Sequence, residues 1–244
     1  MSAPGGRPEA GSGEGATGRP LRLDFRGWLP GEDELLPVIE HLRAGGLLAY
    51  PTETVYGLGC LLREDALARL LALKRAGGEK PLLLLVPGKE SVAGLAWTEE
   101  AAELAGVFWP GAVTLVLPDP EGRYPPAVRS REGNVAVRVS SHPLVRNLVA
   151  LLGEPLTSTS ANRPGEAPAA DGETALAAAL ALGAGEELWV LDAGALPRSA
   201  PSTIVDCAAG VPRVLREGAT PVRRLRCVLK EIVPPERESD EGER

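Results

Sequence analysis

The sequence contains few of the residues that build disulfide frameworks and metal centres. Its 244 residues include only three cysteines, Cys60, Cys207 and Cys227, which are widely spaced and form no CxxC pair. A disulfide framework or a zinc site is therefore not indicated. The two histidines, His41 and His142, are too few for a multi-histidine metal centre. We expect buried thiols with little chemistry and no metal cage built from protein side chains.

Long apolar runs are lacking as well. The longest, residues 82–86 and 175–182, fall far short of the roughly 20 residues that a membrane-spanning helix needs. The N-terminus has Gly, Pro and Glu where a signal peptide requires an apolar core. A P-loop is absent too, and so is the GxSxG elbow of serine hydrolases. We expect a cytoplasmic protein with no membrane partner.

The charge balance excludes a protein that binds nucleic acid over its whole surface. The net charge is −7, and residues 234–244 contribute five acids against two arginines, which leaves the body of the chain acidic. Any basic site on the body must therefore be local. Residues 1–20 are rich in Gly, Pro, Ala and Ser, so we expect them and the acidic residues 234–244 to be disordered tails around one domain, residues 21–233.

Helical and extended patterns alternate through this body, with several strands in succession near its end. Apolar spacing predicts helices over residues 32–44, 64–75, 99–108, 142–152, 174–182 and about 220–232, with Ser141 capping the fourth. Strands are predicted over residues 47–50, 82–86, 112–117, 135–139, 188–192, 202–207 and 211–218, and another begins at residue 155. Strand 82–86 should be buried on both faces. The pattern predicts an α/β fold, a twisted, mixed-sheet α/β sandwich.

The segment AYPTETVYGLG, residues 49–59, has an unusual composition. A buried strand runs into Pro51, two threonines flank Glu53, Tyr56 supplies a phenol, and Gly57 and Gly59 follow. Such a segment indicates a strand that ends in a closely packed polar loop with hydroxyls aimed at a ligand. An ordinary strand end followed by a turn is the alternative.

Other strands end in the same way, in small hydroxyl or amide residues with a basic residue nearby. The residues concerned are Thr52, Thr54, Ser158, Ser160, Asn162, Ser202, Thr203 and Arg216, with Lys74, Arg75, Lys80 and Arg138 as further cations. Because ligands of α/β proteins gather beyond the strand ends, these side chains predict one pocket. Arginine and lysine donate charge-assisted hydrogen bonds, so this pocket suits a phosphate chain or a carboxylate.

Some of these residues also have a purely structural interpretation. The cations at residues 74–80 could form a solvated helix end that favours the helix dipole. The small polar residues at 158–162 could be turn formers. Arg138 is different, because a charge inside the apolar run VAVRV is costly unless it is paired or lies at the rim.

Seven motifs together carry a family resemblance. They are PTETVYGLG, LALKRAGGEKPL, WPGAVTLVL, VAVRVSSHPLV, STSAN followed by RPGE, STIVD and VLREGA. Each motif alone is weak, but in this order, over about residues 35–219, the chain resembles the YrdC-like domains, the L-threonylcarbamoyladenylate synthases. It resembles their short form, which has no additional C-terminal domain.

The resemblance implies a YrdC-like fold with a ligand cleft at the strand ends, and a nucleotidyltransferase. Such an enzyme joins L-threonine, bicarbonate and ATP into threonylcarbamoyl-AMP and releases pyrophosphate. Mg²⁺ would sit on the ATP phosphates, so no protein side chain is expected to bind the metal. The product would pass to a tRNA threonylcarbamoyl transferase, which modifies adenosine beside the anticodon, and a weak direct contact with tRNA fits this role.

The resemblance also implies roles for matching residues. L-threonine would be bound by Thr52, Thr54, Tyr56, Arg138, Ser158 and Ser202, and ATP by Lys80, Asn134, Ser160, Asn162 and Arg216. No catalytic residue is implied, and Lys74, Arg75 and Lys80 would position the reactants. The family's usual arginine position is Ala76 here, so Arg75 or the two lysines would act in its place. Leu85 and Val86 stand where some members have a histidine, which predicts a more apolar threonine pocket.

Two other classes stay open. One is an RNA-binding module of the same fold that acts in tRNA or rRNA maturation, although an acidic body binds RNA poorly outside a local groove. The other is a carbamoyl-transferring domain from a larger maturation enzyme.

Overall fold

Ten strands form one sheet in the part of the chain that the structure, a computed structural model, describes, residues 18–74 and 81–235. The strands are β1 Leu21–Asp24, β2 Leu47–Pro51, β3 Tyr56–Gly59, β4 Leu83–Leu85, β5 Val113–Pro118, β6 Asn134–Arg138, β7 Leu156–Ser160, β8 Leu188–Asp192, β9 Thr203–Asp206 and β10 Arg213–Arg216. The helices are α1 Glu32–Arg43, α2 Glu64–Leu73, α3 Glu99–Phe108, α4 Pro143–Leu152, α5 Gly172–Ala181 and α6 Val222–Leu225, with a 3₁₀ turn at Lys89–Val92.

The sheet is mixed, as the sequence predicts. Its strand order is β1-β8-β2-β3-β7-β4-β6-β5-β9-β10. β8 runs parallel to both β1 and β2, β4 runs parallel to β6, and β5 runs parallel to β9, whereas the remaining neighbours are antiparallel. The predicted fold class, a mixed-sheet α/β sandwich, is confirmed.

Helices cover both faces of the sheet. On one face, Leu84 of β4 packs in the cluster that contains Leu67 of α2 and Leu104 of α3. On the other face, the next residue, Leu85, packs with Leu42 of α1 and Leu148 of α4. Because successive strand residues point to opposite faces, the two leucines show that β4 is buried on both sides, as predicted. Within the described ranges, no helix is long and apolar enough to cross a membrane.

The helix boundaries follow local signals closely. Thr98 accepts a hydrogen bond from the N–H of Ala101 and so caps the start of α3. α4 begins with Pro143 and ends at Leu152, and its C-cap Gly153 adopts a left-handed φ of 69°. The prediction that Ser141 caps α4 is wrong, because the N-cap is His142 and no side chain caps this helix end.

Two further predictions need correction, and one strand, β1, was not predicted. Residues 56–59 form strand β3 and not a loop, since β3 pairs with both β2 and β7. A side chain at Gly59 would place its Cβ 1.8 Å from the main-chain oxygen of Thr157, so this pairing requires glycine. The last helix ends at Leu225 and not near residue 232, where a bridge between Arg213 and Val233 brings the chain back to β10.

The predicted tails fall largely outside the described residues, which exclude 1–17 and 236–244, so their disorder stays a prediction. Residues 75–80 also lie outside them. The roles proposed for Arg75, Ala76 and Lys80 therefore stay predictions, whereas α2 ends at Leu73, two residues before its predicted end at Arg75.

Candidate substrate cleft

A cavity of about 580 Å³ opens where the predicted polar strand ends meet. Its walls come from the β2–β3 turn and from β5, β6, β7, β9 and β10, with the end of α2 at one side. The strand residues that line it include alternate pairs, such as Ser158 with Ser160 and Ala136 with Arg138. The cavity therefore extends from the strand ends over one face of the sheet.

Register places several of these side chains next to one another. Ser158 of β7 pairs with Leu83 of β4, and Ser160 pairs with Gly57 of β3. These residues share a face with Leu85, which packs against α1 and α4 further along the sheet. The cleft thus occupies a part of that face where polar side chains replace the apolar ones that the two helices cover.

Arg138 lies at the floor of the cleft with only 4% of its side chain exposed. Its Nη2 lies 2.6 Å from Oε1 of Glu53, and its Nε donates to the main-chain oxygen of Gly111 at 3.0 Å. The sequence predicted that this charge would be paired or lie at the rim, and Glu53 is its partner. Burial alone would raise the pKa of Glu53, but the charge of Arg138 and the hydrogen bond from Ser140 lower that pKa overall.

The β2–β3 turn is held by the hydroxyl of Thr52. Its Oγ1 donates to the main-chain oxygen of Val55 at 2.6 Å and accepts from the backbone N–H groups of Thr54 and Val55, both at 3.2 Å. Thr52 therefore forms the turn as well as lining the cleft. The hydroxyl of Thr54, 3.0 Å from that of Thr52, also faces Nη2 of Arg138 at 3.3 Å.

The end of β7 is linked to α2 by Lys74. Its ammonium group donates to the main-chain oxygens of Ser160 and Asn162 at 3.0 and 2.7 Å. The hydroxyl of Ser160 in turn donates to Oδ1 of Asn162 at 2.6 Å. Burial lowers the pKa of Lys74, and no carboxylate pairs with it in residues 18–74 and 81–235. Lys74 thus has the structural role that the sequence analysis left open, and it also lines the cleft as a cation.

The opposite wall is built by Arg216, Ser202 and Thr114. The guanidinium of Arg216 donates to the main-chain oxygen of Ser202 at 2.8 Å, and the hydroxyls of Ser202 and Thr114 are 2.9 Å apart. Although Arg216 as a whole is exposed, the protein around its guanidinium lowers its pKa, and the charge of Arg138 lowers it further. The two arginines are therefore close enough to repel each other across the cleft.

The cleft brings together most of the predicted site residues that the structure describes. Those that line it are Thr52, Thr54, Lys74, Arg138, Ser158, Ser160, Asn162, Ser202 and Arg216. Thr203, at the start of β9, is buried beneath the wall and donates to the main-chain oxygen of Thr220. Leu82 and Leu83 line the cleft, whereas Leu85 and Val86 do not, so the apolar wall is two to four residues earlier than predicted.

Two predicted residues lie elsewhere. Tyr56 does not line the cavity, because its side chain is fully buried and its hydroxyl donates to the main-chain oxygen of Gly194 at 2.9 Å. Asn134 begins β6, four residues before Arg138, which at about 3.3 Å per residue puts it on the order of 13 Å away along the strand. Neither residue lines the cavity, so their predicted roles stay predictions.

Three residues near the cleft were missed. Glu53 and Ser140 support Arg138 from outside the cavity, and Thr114 lines it. A signal existed only for Glu53, because a buried arginine demands a carboxylate and Glu53 stands among residues already suspected. Nothing in the local sequence of Thr114 distinguishes it from other strand threonines.

Comparison with known proteins places the chain among proteins of one kind. The model of the Sua5, YciO and YrdC family, described as "Telomere recombination", matches residues 40–218. A protein named threonylcarbamoyl-AMP synthase from Chromohalobacter salexigens is 43% identical over 183 residues, which cover 73% of this chain and 95% of that protein. Its namesake from Chromobacterium violaceum is 38% identical over 191 residues, covering 77% of this chain and 95% of that protein.

A solved structure resembles the fold as a whole. The crystal structure of P. abyssi Sua5 complexed with L-threonine superposes with a TM-score of 0.77 and 30% sequence identity. The match covers 88% of this chain but 62% of the Sua5 chain, so the present chain spans under two thirds of that larger protein.

Proposed function

Since this chain belongs to the Sua5/YciO/YrdC family, we propose that it is a threonylcarbamoyl-AMP synthase, an enzyme that forms threonylcarbamoyl-AMP and pyrophosphate from L-threonine, bicarbonate and ATP. The matches to the two relatives with this name cover 95% of the length of each relative. The Sua5 structure contains L-threonine in a chain of the same fold. A transferase of this kind belongs to tRNA modification.

One observation in the cleft carries the proposal. The described lining includes the three cations Lys74, Arg138 and Arg216 and no aspartate or glutamate. The reaction requires two anionic reactants, a carbamate and a triphosphate, to meet in one site. Without cations their mutual repulsion would oppose the encounter, and a cationic, partly buried cleft offsets that repulsion.

The placement of the side chains suggests two subsites. Arg138 with Thr52, Thr54, Ser158 and Ser202 forms the deeper one, which would hold the carboxylate and hydroxyl of L-threonine. Ser160, Asn162, Arg216 and Lys74, with Lys80 from outside the described residues, would hold ATP. Arg138 and Arg216 stand at the junction, where the α-phosphate has to meet the carbamate.

The chemistry at this junction needs no protein nucleophile. Bicarbonate carboxylates the amine of threonine with loss of water, and an oxygen of the resulting carbamate attacks the α-phosphorus of ATP. The new O–P bond forms as the bond to the β-phosphate oxygen breaks, and pyrophosphate leaves. The protein contributes alignment of the two reactants and stabilisation of charge on the phosphoryl oxygens.

Mg²⁺ would be carried by the substrate in this scheme. The described residues include no group of three or more His, Cys, Asp or Glu side chains placed to hold a metal ion, so the donor set of the cleft fits phosphate and not the metal. Bound to the phosphate oxygens, Mg²⁺ would neutralise the leaving pyrophosphate. We further propose that the product passes to a separate tRNA threonylcarbamoyl transferase in the cytoplasm, with at most weak direct contact to tRNA.

A substrate-omission assay tests the function. Purified protein supplied with L-threonine, bicarbonate, ATP and Mg²⁺ should release pyrophosphate, and leaving out any one component should abolish the release. Pyrophosphate release without threonine would point to a simple ATP pyrophosphohydrolase. No release of pyrophosphate under any condition would favour the alternative function, an RNA-binding module of the same fold.

A further inference from the structure

Glu53 occupies an unusual place among the residues around the cleft. It stands between two lining threonines, yet it does not line the cavity itself, and its side chain is 19% exposed. Its Oε1 lies 2.6 Å from Nη2 of Arg138, which does line the cavity. A direct role as base or substrate ligand therefore does not fit its position.

Each part of the Arg138 guanidinium has a different environment. Nε is bound to the main-chain oxygen of Gly111 at 3.0 Å, and Nη2 lies 2.6 Å from Oε1 of Glu53. Among the described residues, Nη1 donates one long hydrogen bond, 3.5 Å, to the hydroxyl of Thr54. Since a guanidinium has five N–H groups in a fixed fork, those on Nη1 are the most weakly bound and are the ones best able to bind a substrate carboxylate.

We infer that Glu53 is a positioning residue: by holding one edge of the Arg138 guanidinium, it turns the Nη1 edge toward the carboxylate of L-threonine. This inference rests on the proposed function, because it assigns the carboxylate of that substrate to Arg138. It adds a residue that acts on threonine binding through Arg138 and not by contact with the substrate.

Glu53 is itself held firmly. Its Oε2 accepts a hydrogen bond from the hydroxyl of Ser140 at 2.5 Å and another from the backbone N–H of Ser141 at 3.2 Å. These contacts join the β2–β3 turn to the loop between β6 and α4. A carboxylate fixed by two donors on one oxygen presents its other oxygen, Oε1, in a constant position to Arg138.

The charges around Arg138 explain why a carboxylate is needed there. Arg216 is near enough for the charge of Arg138 to lower its pKa, so the two guanidinium groups repel each other. Glu53 stays ionised at neutral pH, because its pKa lies below the usual value. Its charge offsets that repulsion and leaves Arg138 in the cleft, whereas a neutral residue would let the guanidinium swing away.

The test is the substitution Glu53→Gln, which keeps the size of the side chain and removes its charge. We expect KM for L-threonine to rise about tenfold or more, which is typical of the loss of a charge-assisted contact. KM for ATP should change by less than about twofold, because this contact does not involve ATP. The matched control is Glu121→Gln, which breaks an exposed pair with Arg123 and should change neither constant. A general loss of folded protein would lower kcat and leave both KM values unchanged.

A double-substitution cycle decides whether Glu53 acts through Arg138. In an Arg138→Gln background, Glu53→Gln should have no further effect on kcat/KM for threonine, because the group that it positions is gone. Additive losses would overturn the inference. If the wild-type protein shows no threonine-dependent pyrophosphate release, the proposed function fails, and that result is distinct from additivity in an active enzyme.

A second variant covers the case in which Glu53→Gln does not fold. Ser140→Ala removes one donor to Glu53 and keeps the ion pair. It should raise KM for threonine by a smaller factor, again only when Arg138 is present. An unchanged KM for threonine in Ser140→Ala would contradict the chain of contacts from Ser140 through Glu53 to Arg138.

Discussion

The ammonium group of Lys74 lies 2.7 Å from the main-chain oxygen of Asn162, so that the end of α2 is joined to the chain just after β7. Lys74 lines the cleft, and its hydrogen-bond partners among the described residues are oxygen atoms of neutral groups, the third being Oδ1 of Asn162 at 3.3 Å. A lysine held by neutral acceptors keeps its net charge available to an anionic ligand. The contact therefore joins the segment at residues 160–162 to α2 and leaves a cation facing the cleft.

The first prediction concerns this cation. Lys74→Met keeps the aliphatic bulk and removes the charge, so we expect kcat/KM for ATP to fall by about tenfold or more. Pyrophosphate release measured against ATP concentration checks this result. Lys89→Met is the control, because Lys89 lies over the ring of Trp97 and not in the cleft. Equal kinetics for the two variants would show that ATP does not reach Lys74.

The second prediction concerns the hydroxyl of Ser160. This group lines the cleft and donates to Oδ1 of Asn162 at 2.6 Å, and on ATP binding it would redirect this proton to a phosphate oxygen. Ser160→Ala should weaken ATP use by about 1.5–3 kcal/mol, the usual range for a hydrogen bond to a charged group. Ser199→Ala, at an exposed serine bonded to the neighbouring carbonyl, should leave ATP use unchanged. A threonine-specific defect in Ser160→Ala would mean that the two subsites are assigned the wrong way round.

The third prediction separates two glycines by the space around them. A Cβ on Gly59 would meet the main-chain oxygen of Thr157 at 1.8 Å, whereas a Cβ on Gly106 in α3 would meet no atom within 4 Å. Gly59→Ala should therefore lower the free energy of unfolding by about 3 kcal/mol or more, because β3 and β7 cannot separate without losing their pairing. Gly106→Ala should raise it by about 0.5–1 kcal/mol through helix propensity.

Urea unfolding of both glycine variants checks this pair. Similar midpoints for Gly59→Ala and the wild type would show that β3 and β7 are not in close contact. A lower midpoint for Gly106→Ala would show that α3 is packed by another element at that position.

The fourth prediction concerns pH. Burial lowers the pKa of His41 and of His142 below 6.5, and these are the only two histidines of the chain. Below about pH 6.5 the unfolded chain takes up protons that the folded protein does not. Stability should therefore be highest above that pH and fall as the pH decreases through the unfolded pKa toward the folded values.

Urea midpoints at pH 7.5, 6.5 and 5.5 measure this effect. The variant His41→Gln, His142→Gln should lose most of the decline, since the carboxylates titrate mainly below this range. A wild-type midpoint that is constant down to pH 5.5 would contradict the prediction.

Local signals explain why parts of the fold could be predicted from the sequence. α3 and α4 were predicted within a residue of their ends, because apolar spacing coincides with Trp109-Pro110 after α3 and with Pro143 and Gly153 around α4. The sequence analysis did not predict β3, because its glycines are typical of a loop and its pairing is made by backbone groups. The last helix was extended too far, because apolar residues after Leu225 that continue the spacing pack into the core from turns.

The site divides in a similar way. Arg138 could be identified because a lone charge in an apolar strand has a physical cost. Its partner Glu53 is 85 positions earlier in the chain, and only the tertiary fold brings the two together. Tyr56 shows the opposite case: its place in a functional motif suggested a ligand, but the fold uses its hydroxyl to bind the turn at residues 193–194.

The pairing of β1 has a consequence for how the protein is made. β1, at residues 21–24, pairs with β8, at residues 188–192, and β8 also separates β1 from β2. During synthesis the first strand must therefore wait for about 170 later residues before it finds its neighbour. The cleft is lined by residues from 52 to 216, so no nascent chain shorter than 216 residues contains all of it. The cationic lining of the cleft is therefore complete only when almost the whole domain has left the ribosome.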